Sequence, residues 1–169
     1  MNLHYQDHLP KEYNSNSRVW IYQSKRSFTI EETIKIEELL TSFTSKWQSH
    51  GDTVKGYGNL FFGHFIILMA DETASGVSGC STDSSVRLIK NIEQDFRVEM
   101  FDRQSLAFIV NERIQLIPLS DISSALESKF INPDTLYFDN TVPDKTALIE
   151  KWIVPIKESW LSKKFLQQV

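Results

Sequence analysis

Thr29 and Glu32 carry the sequence pattern of a capping box, a hydroxyl at the N-cap and a carboxylate three residues on, which sets where one helix of this chain begins. After it, Ile30, Ile34, Leu39, Leu40, Phe43 and Trp47 recur at helical spacing until Gly51 stops the run. Just before it, Arg18-Val19-Trp20-Ile21-Tyr22-Gln23-Ser24 is β-branched and aromatic, the composition of a strand. A strand feeding a capped helix opens a βα arrangement, and the following elements decide which sheet it builds.

Val54 to Phe62 and Phe65 to Asp71 read as a hairpin around Gly63-His64. A helix is expected from Thr82 to Phe96, with Val86, Ile89, Ile92 and Phe96 on one face. Ser105 to Val110 and Ile114 to Pro118 form a second hairpin around Asn111-Glu112-Arg113. Ser120 then caps a short helix to Ser128, Asn132-Pro133-Asp134 turns, and Leu136-Tyr137-Phe138 is a short strand. A C-terminal helical segment starts near Pro143, is interrupted at Pro155 and resumes to Phe165. Residues 1–17 are polar and read as an arm, ordered only if it docks.

The order β-α-β-β-α-β over residues 18–110 predicts an α+β fold with a ferredoxin-like core. Residues 111–169 add a small α/β extension packed on that core as part of a single folding unit. In this topology the third strand's end, the second helix's start, the first helix's end and the first strand's start share one sheet edge. Cys80 is therefore expected near His50, Gly51 and Arg18, with His64, Lys25 and Arg26 at the opposite edge.

The chain's 169 residues suit one domain with one sizeable core, and 41% hydrophobic residues is too apolar for a disordered chain. A net charge of −4 gives no pull towards nucleic acid or acidic membranes. A single cysteine excludes an intrachain disulfide framework and points to a reducing, cytoplasmic compartment. No signal peptide is visible in Met1 to Asp7, and the longest apolar run, Phe65 to Ala70, is too short to span a bilayer. A soluble protein follows.

The stretch from Ala74 to Ser85 concentrates glycine, hydroxyls and the one cysteine ahead of a helix. Such a turn can aim backbone N–H groups at an anion, and the helix dipole can stabilise a thiolate. Candidate ligand-binding residues are Gly76, Ser78, Gly79, Ser81, Thr82, Asp83, Ser84 and Arg18. Candidate catalytic residues are Cys80 as nucleophile and His50 as the base that the topology brings near it. Against this, Cys80 can equally be a small packing residue, and Ser81 or Thr82 a helix cap.

Several chemistries are excluded by spacing. A cysteine phosphatase loop has its arginine six positions after the nucleophile, whereas Arg87 is seven after Cys80 and Asp83 would repel phosphate. No Gly-x-x-x-x-Gly-Lys-Ser/Thr occurs, so nucleotide hydrolysis of the P-loop kind is unsupported. The four histidines and Cys80 show no metal-ligand spacing outside His4/His8 in the arm, and no metal or other cofactor is expected. Asp71, Glu72 and Asp83 could hold a hard cation, but acids at a strand end and helix start are more often solvated or dipole-satisfying. Trp20, Tyr22, Tyr57, Phe61 and Phe62 are expected to pack in the core rather than stack on bases.

Ser17 to Ser24, Phe65 to Leu68 with Asp71-Glu72, Ser78 to Val86, Phe101-Asp102-Arg103, and Trp152 to Pro155 with Ser159-Trp160 together resemble an uncharacterised family of small proteins from Bacteroidetes bacteria. The resemblance covers nearly the whole chain. Members often carry the label "ABC transporter ATPase", which this sequence contradicts because it is too short for a nucleotide-binding domain and lacks the phosphate loop. The family implies no activity, so it assigns no catalytic residue. Leu119 to Ile122 and Ile131 to Phe138 are similar to the helix–turn–strand half of bacterial GYF-type modules, without the Gly-Tyr-Phe surface that binds proline-rich peptides.

Three functions are consistent with these features. The favoured one is a noncatalytic domain that binds a small polar or anionic ligand, or regulates through it, at residues 75–85. The second is a thiol-dependent enzyme or redox sensor using Cys80. The third is an interaction module, as a homodimer or with a protein partner, in which Trp152, Trp160 and the C-terminal helix bury a surface.

Overall fold

The computed structural model describes residues 1–49, 52–73 and 79–166, with the backbone alone for 79–81. Its elements run β1 (Arg18–Gln23), α1 (Ile30–Lys46), β2 (Gln48–Ser49), β3 (Asp52–Thr53), β4 (Lys55–Phe61), β5 (Phe65–Asp71) and α2 (Gly79–Phe96). After these come β6 (Ser105–Val110), β7 (Arg113–Pro118), α3 (Ile122–Glu127), β8 (Leu136–Phe138), α4 (Lys145–Lys151) and β9 (Ile153–Pro155). The fold is α+β with antiparallel sheets. It divides into two compact units, His4–Asp102 with Thr141–Ile149, and Met1–Leu3 with Arg103–Asn140 and Glu150–Val169.

The first unit is built on the sheet β1-β5-β4. Register rows Trp20–Leu68–Gly58 and Tyr22–Ile66–Leu60 lie on one face, because alternate strand residues point to the same side. Ile36 and Leu40 of α1 and Ile89 and Ile92 of α2 bury that face. The capping box forms as expected, with the Thr29 hydroxyl accepting from Glu32 N–H and the Glu32 carboxylate accepting from Thr29 N–H. The buried stripe of α1 differs from the expected one. Ile30 is 81% exposed and Ile34 53%, whereas Ile36, absent from the expected set, is fully buried. Two apolar series interleave on this helix, and the one stepping 36–40–43–47 meets the sheet. The helix ends at Lys46, before Gly51, and Trp47 lies so close to Gly56 that a Cβ there would come within 2.6 Å of its ring.

The opposite face is covered by the N-terminal arm and residues 141–149. The Tyr5 ring meets Phe61 and Phe62 edge-on at 6.4 and 6.3 Å, and its hydroxyl donates to the Leu148 carbonyl at 2.7 Å. Tyr57 donates to the His8 carbonyl at 2.7 Å, and Tyr13 to the Gly56 carbonyl at 2.8 Å. Lys145 is buried, and its ammonium donates to the carbonyls of Pro10 (2.7 Å), Lys11 (3.3 Å) and Tyr13 (2.8 Å). The arm docks, so it is a layer of the structure.

The ferredoxin-like expectation meets its limit at the fourth strand. Residues 105–110 form β6 in a separate sheet, β7-β6-β8-β9, and belong to the second unit, so the expected 18–110 core ends at Asp102. The side of β1 where a fourth strand would pair is met instead by residues 143–144. Val19 N–H donates to the Pro143 carbonyl at 3.0 Å, and Arg18 forms a bridge with Asp144. Both edges of β6 are taken: Asn111 and Glu112, both at positive φ in the two-residue turn that matches strand twist, close it directly onto β7, and β8 pairs with its other side.

In the second unit, Phe108, Ile117, Ile122, Ile131, Tyr137, Ile156 and Leu161 form the core. Ser120 does not cap α3; its hydroxyl donates to the Asp121 carboxylate, and a 3-10 turn precedes the helix. The expected C-terminal helical segment, interrupted at Pro155, is corrected too: α4 stops at Lys151, and Ile153–Pro155 is a strand paired with β8. Trp152 is fully buried against Phe138 and donates to Asn140 at 3.0 Å, so it is a core residue and cannot cover a partner.

Replacing Lys145 with Met removes a charged donor from three carbonyls and is expected to cost about 2–3 kcal/mol, the range for charge-assisted hydrogen bonds and stranded buried acceptors. Denaturant unfolding measures the loss. Limited proteolysis should then cut first within residues 1–17; an arm as protected as in the unsubstituted protein would contradict the role of Lys145 in holding it.

Candidate functional site

The sheet edge singled out by the sequence begins with β1 and ends with β5. Arg18 stands opposite Ala70 in the register, and its guanidinium lies 5.3 Å from the Trp20 ring and 3.8 Å from the Glu72 carboxylate. About half of its side chain, 52%, is exposed. The last residue of β5, Asp71, is buried. Its Oδ2 accepts from Lys55 Nζ at 2.9 Å and from Asn14 N–H at 3.2 Å, and its Oδ1 accepts from the Thr73 hydroxyl at 2.7 Å and Thr73 N–H at 3.2 Å. Lys55 hydrogen bonding first, then Thr73 and Asn14, hold the Asp71 carboxyl well below the usual carboxylate range. Lys55 also donates to the Glu12 carbonyl and lies 4.6 Å from the Tyr13 ring.

The sequence-predicted residues divide sharply. His50, Gly51, Gly76 and Ser78 lie outside the described residues, as do the side chains of Cys80 and Ser81. The backbone places Gly79 and Cys80 in the first turn of α2, which starts three residues before the expected Thr82. Thr82 and Ser84 are half-buried, Asp83 is exposed, and the buried Ser85 hydroxyl donates to the Thr82 carbonyl at 2.7 Å. α2 also touches β2, the segment that follows α1, in keeping with the shared edge. Asp71, one of the three acids that could hold a hard cation, is committed to Lys55, Thr73 and Asn14. Among the described residues no group of three or more His, Cys, Asp or Glu is placed to hold a metal ion.

The other end of the sheet carries His64, Lys25 and Arg26, as the topology requires. His64 N–H donates to the Phe61 carbonyl, its own carbonyl accepts from Ser24 N–H, and burial pushes its imidazole below the ordinary value of 6.5. A groove of about 530 Å³ opens beside Lys25 and Arg26, with Glu93, Arg97 and Glu99 also in its wall. Its charges are largely paired internally. Lys25 bridges Glu99 at 2.7 Å and Asp102 at 3.4 Å; Arg26 grips Glu32 through two nitrogens at 2.7 and 2.8 Å and donates to the Phe96 carbonyl at the end of α2. Arg26 and the Thr29 N–H push the Glu32 carboxyl down to about 2. These groups tie the β1–α1 loop to the end of α2.

No protein-family model, curated protein or solved structure matches the chain. Site residues are therefore assigned on geometry and charge alone. Sequence reading missed Lys55, Asn14 and Tyr13, since the arm that brings Asn14 to Asp71 and Tyr13 to Lys55 is polar and has no periodicity. No helix among the described residues is long and apolar enough to cross a membrane.

The acid limb of the stability curve reports on the two engaged carboxylates. Both pKa values are lower in the fold than the ordinary 3.8 and 4.5, so the stabilisation is complete above those values and is lost as pH falls below them, towards about 2 for Glu32. Asp71→Asn should lower stability at neutral pH and flatten the decline below 3.8, as followed by denaturant unfolding at stepped pH. A variant curve parallel to the parent's over that range would contradict the assignment.

Proposed function

We propose that this protein is a noncatalytic binding or regulatory domain that receives a small polar or anionic group where β1 starts, β5 ends and α2 begins. The observation that supports this reading is how unequally the charged groups described there are engaged. The buried acid, Asp71, is taken up by Lys55, Thr73 and Asn14, whereas Arg18 keeps half of its side chain exposed and meets Glu72 only at 3.8 Å. An exposed guanidinium and the first turn of an 18-residue helix are both electrostatically suited to an anion. In this reading the N–H groups of Gly76, Ser78 and Gly79 and the hydroxyls of Ser81, Thr82 and Ser84 donate, Arg18 supplies the charge, and Asp83 accepts from a donor on the ligand. The split β-α-β-β-α order of the first unit is that of a ferredoxin-like fold lacking its fourth strand, and it sets this edge.

Inorganic phosphate, titrated at constant ionic strength, is expected to raise the melting temperature of the protein saturably, and Arg18→Gln to weaken that response at least several-fold. An equal response in the variant, or one that a matched chloride titration reproduces, would overturn the reading.

The thiol alternative is favoured by one observation, the position of Cys80 within the first turn of α2, where the helix dipole stabilises a thiolate. If Cys80 is a poised thiol, its alkylation rate in the folded protein will show a midpoint well below the ~8.5 of a free thiol. Protection until the chain unfolds would make it a packing residue.

A further inference from the structure

Each long edge of the two larger sheets can be inspected for how its outward-facing main-chain groups are satisfied, since an unprotected edge is a template for another strand. On β4, the Gly56 carbonyl accepts from the Tyr13 hydroxyl at 2.8 Å, and Leu60 N–H donates to the neighbouring Asn59 side chain at 2.8 Å. On β1, Val19 N–H is taken by Pro143. β9 is three residues long and contains Pro155, which has no N–H. Three edges thus carry a recognisable block.

β7 is the fourth edge and is built differently. The two-residue turn makes Val110 and Arg113 a hydrogen-bonded pair, and the Leu119 N–H to Gln104 carbonyl bond of 2.7 Å continues the same alternation six residues on. Residues 113, 115 and 117 therefore bond inward to β6, while Ile114, Leu116 and Pro118 turn their main chain outward. Among the described residues nothing bonds to Ile114 or Leu116 on that outer side. Both are half-buried and apolar, and the charge on the strand is confined to Arg113 at its start.

We propose that β7 is the surface through which two copies of this chain associate, pairing antiparallel with the β7 of a second copy. Pro118 ends the set of outward N–H groups, which leaves one symmetric register that uses both remaining residues in full. It places Ile114 opposite Leu116 of the partner and Leu116 opposite Ile114 of the partner, each pair exchanging two hydrogen bonds. The two-fold axis then passes at Gln115, whose side chain meets its own copy across a non-hydrogen-bonded pair. The two four-stranded sheets become one continuous sheet. A peptide partner could add at the same edge, but the self-pairing uses the N–H and C=O of Ile114 and Leu116 in both copies and sets each Arg113, the strand's one charge, opposite Ile117 of the other copy, so no like charges meet.

The register dictates the test, made on the full chain with Cys80→Ser so that an introduced cysteine is the only thiol. Gln115→Cys is expected to form a disulfide-linked dimer on mild oxidation with copper-phenanthroline in air, because opposed side chains in such a pair have Cβ atoms about 5 Å apart. Glu112→Cys, at the turn and away from the axis, is expected to stay monomeric under the same treatment. The unsubstituted chain should show a concentration-dependent mass between monomer and dimer in sedimentation equilibrium, and Leu116→Pro should shift it to monomer, since it removes an outward N–H and spares the bonds to β6. A monomer at every concentration, or equal crosslinking at 112 and 115, overturns the proposal. If Leu116→Pro does not fold, the crosslinking pair still decides.

Discussion

β5 is buried at every one of its positions from Phe65 to Asp71, and that is the constraint on which the first unit depends. A strand buried on both faces needs a layer on each side of its sheet. α1 and α2 supply one. The second comes from segments far apart in sequence, the arm before β1 and residues 141–149, held together by Tyr5, Tyr57 and the buried ammonium of Lys145. A lysine so placed needs compensation for its lost hydration, and the carbonyls of Pro10, Lys11 and Tyr13 provide it. The polar composition of the arm is thus compatible with a structural role, since its main chain does much of the work.

The same docking shapes the electrostatics of the candidate edge. The arm delivers Asn14 to Asp71 and lays Tyr13 beside Lys55, so the ion pair that β4 makes with the buried acid is completed by groups from outside the β-α-β framework. Arg18, a neighbour along the same edge, is left exposed on Trp20. At the opposite end, Lys25 and Arg26 are drawn into ion pairs that join the β1–α1 loop to the end of α2. Cations at the two ends of one sheet thus differ in how closely they are paired, decided by which carboxylates the fold brings to them.

Much of the local structure was legible. The capping box at Thr29, the hairpin of β4 and β5 and the helical face of α2 are set by contacts within a few residues, and each formed where the pattern placed it. Errors cluster where two patterns competed. Ile30 and Ile34 are spaced as well as Ile36 and Leu40, and only the sheet decides which pair is buried. Ile153-Val154-Pro155 could continue a helix or pair as a strand, and β8 selects the strand. Ser105 to Val110 could have joined β1, but β7 takes one of its edges through the Asn111-Glu112 turn and β8 takes the other. For the candidate site, the edge and Arg18 were legible from topology, whereas Asp71's engagement was not: Lys55 meets it across the sheet, and the bond from Asn14 N–H in an irregular arm leaves no periodic trace.

By itself, then, the sequence determined the elements and their order, since capping, turn chemistry and the spacing of apolar residues act over a few residues and need no distant partner. It also determined that Phe65 to Ala70, an unbroken apolar run, would lie in an interior. Tertiary structure alone decided which segments cover that strand, which sheet receives β6 and which carboxylate each cation meets. Those outcomes depend on pairings between residues as far apart as Pro10 and Lys145, and such pairings are chosen by the free energy of the whole packed arrangement rather than by any local preference.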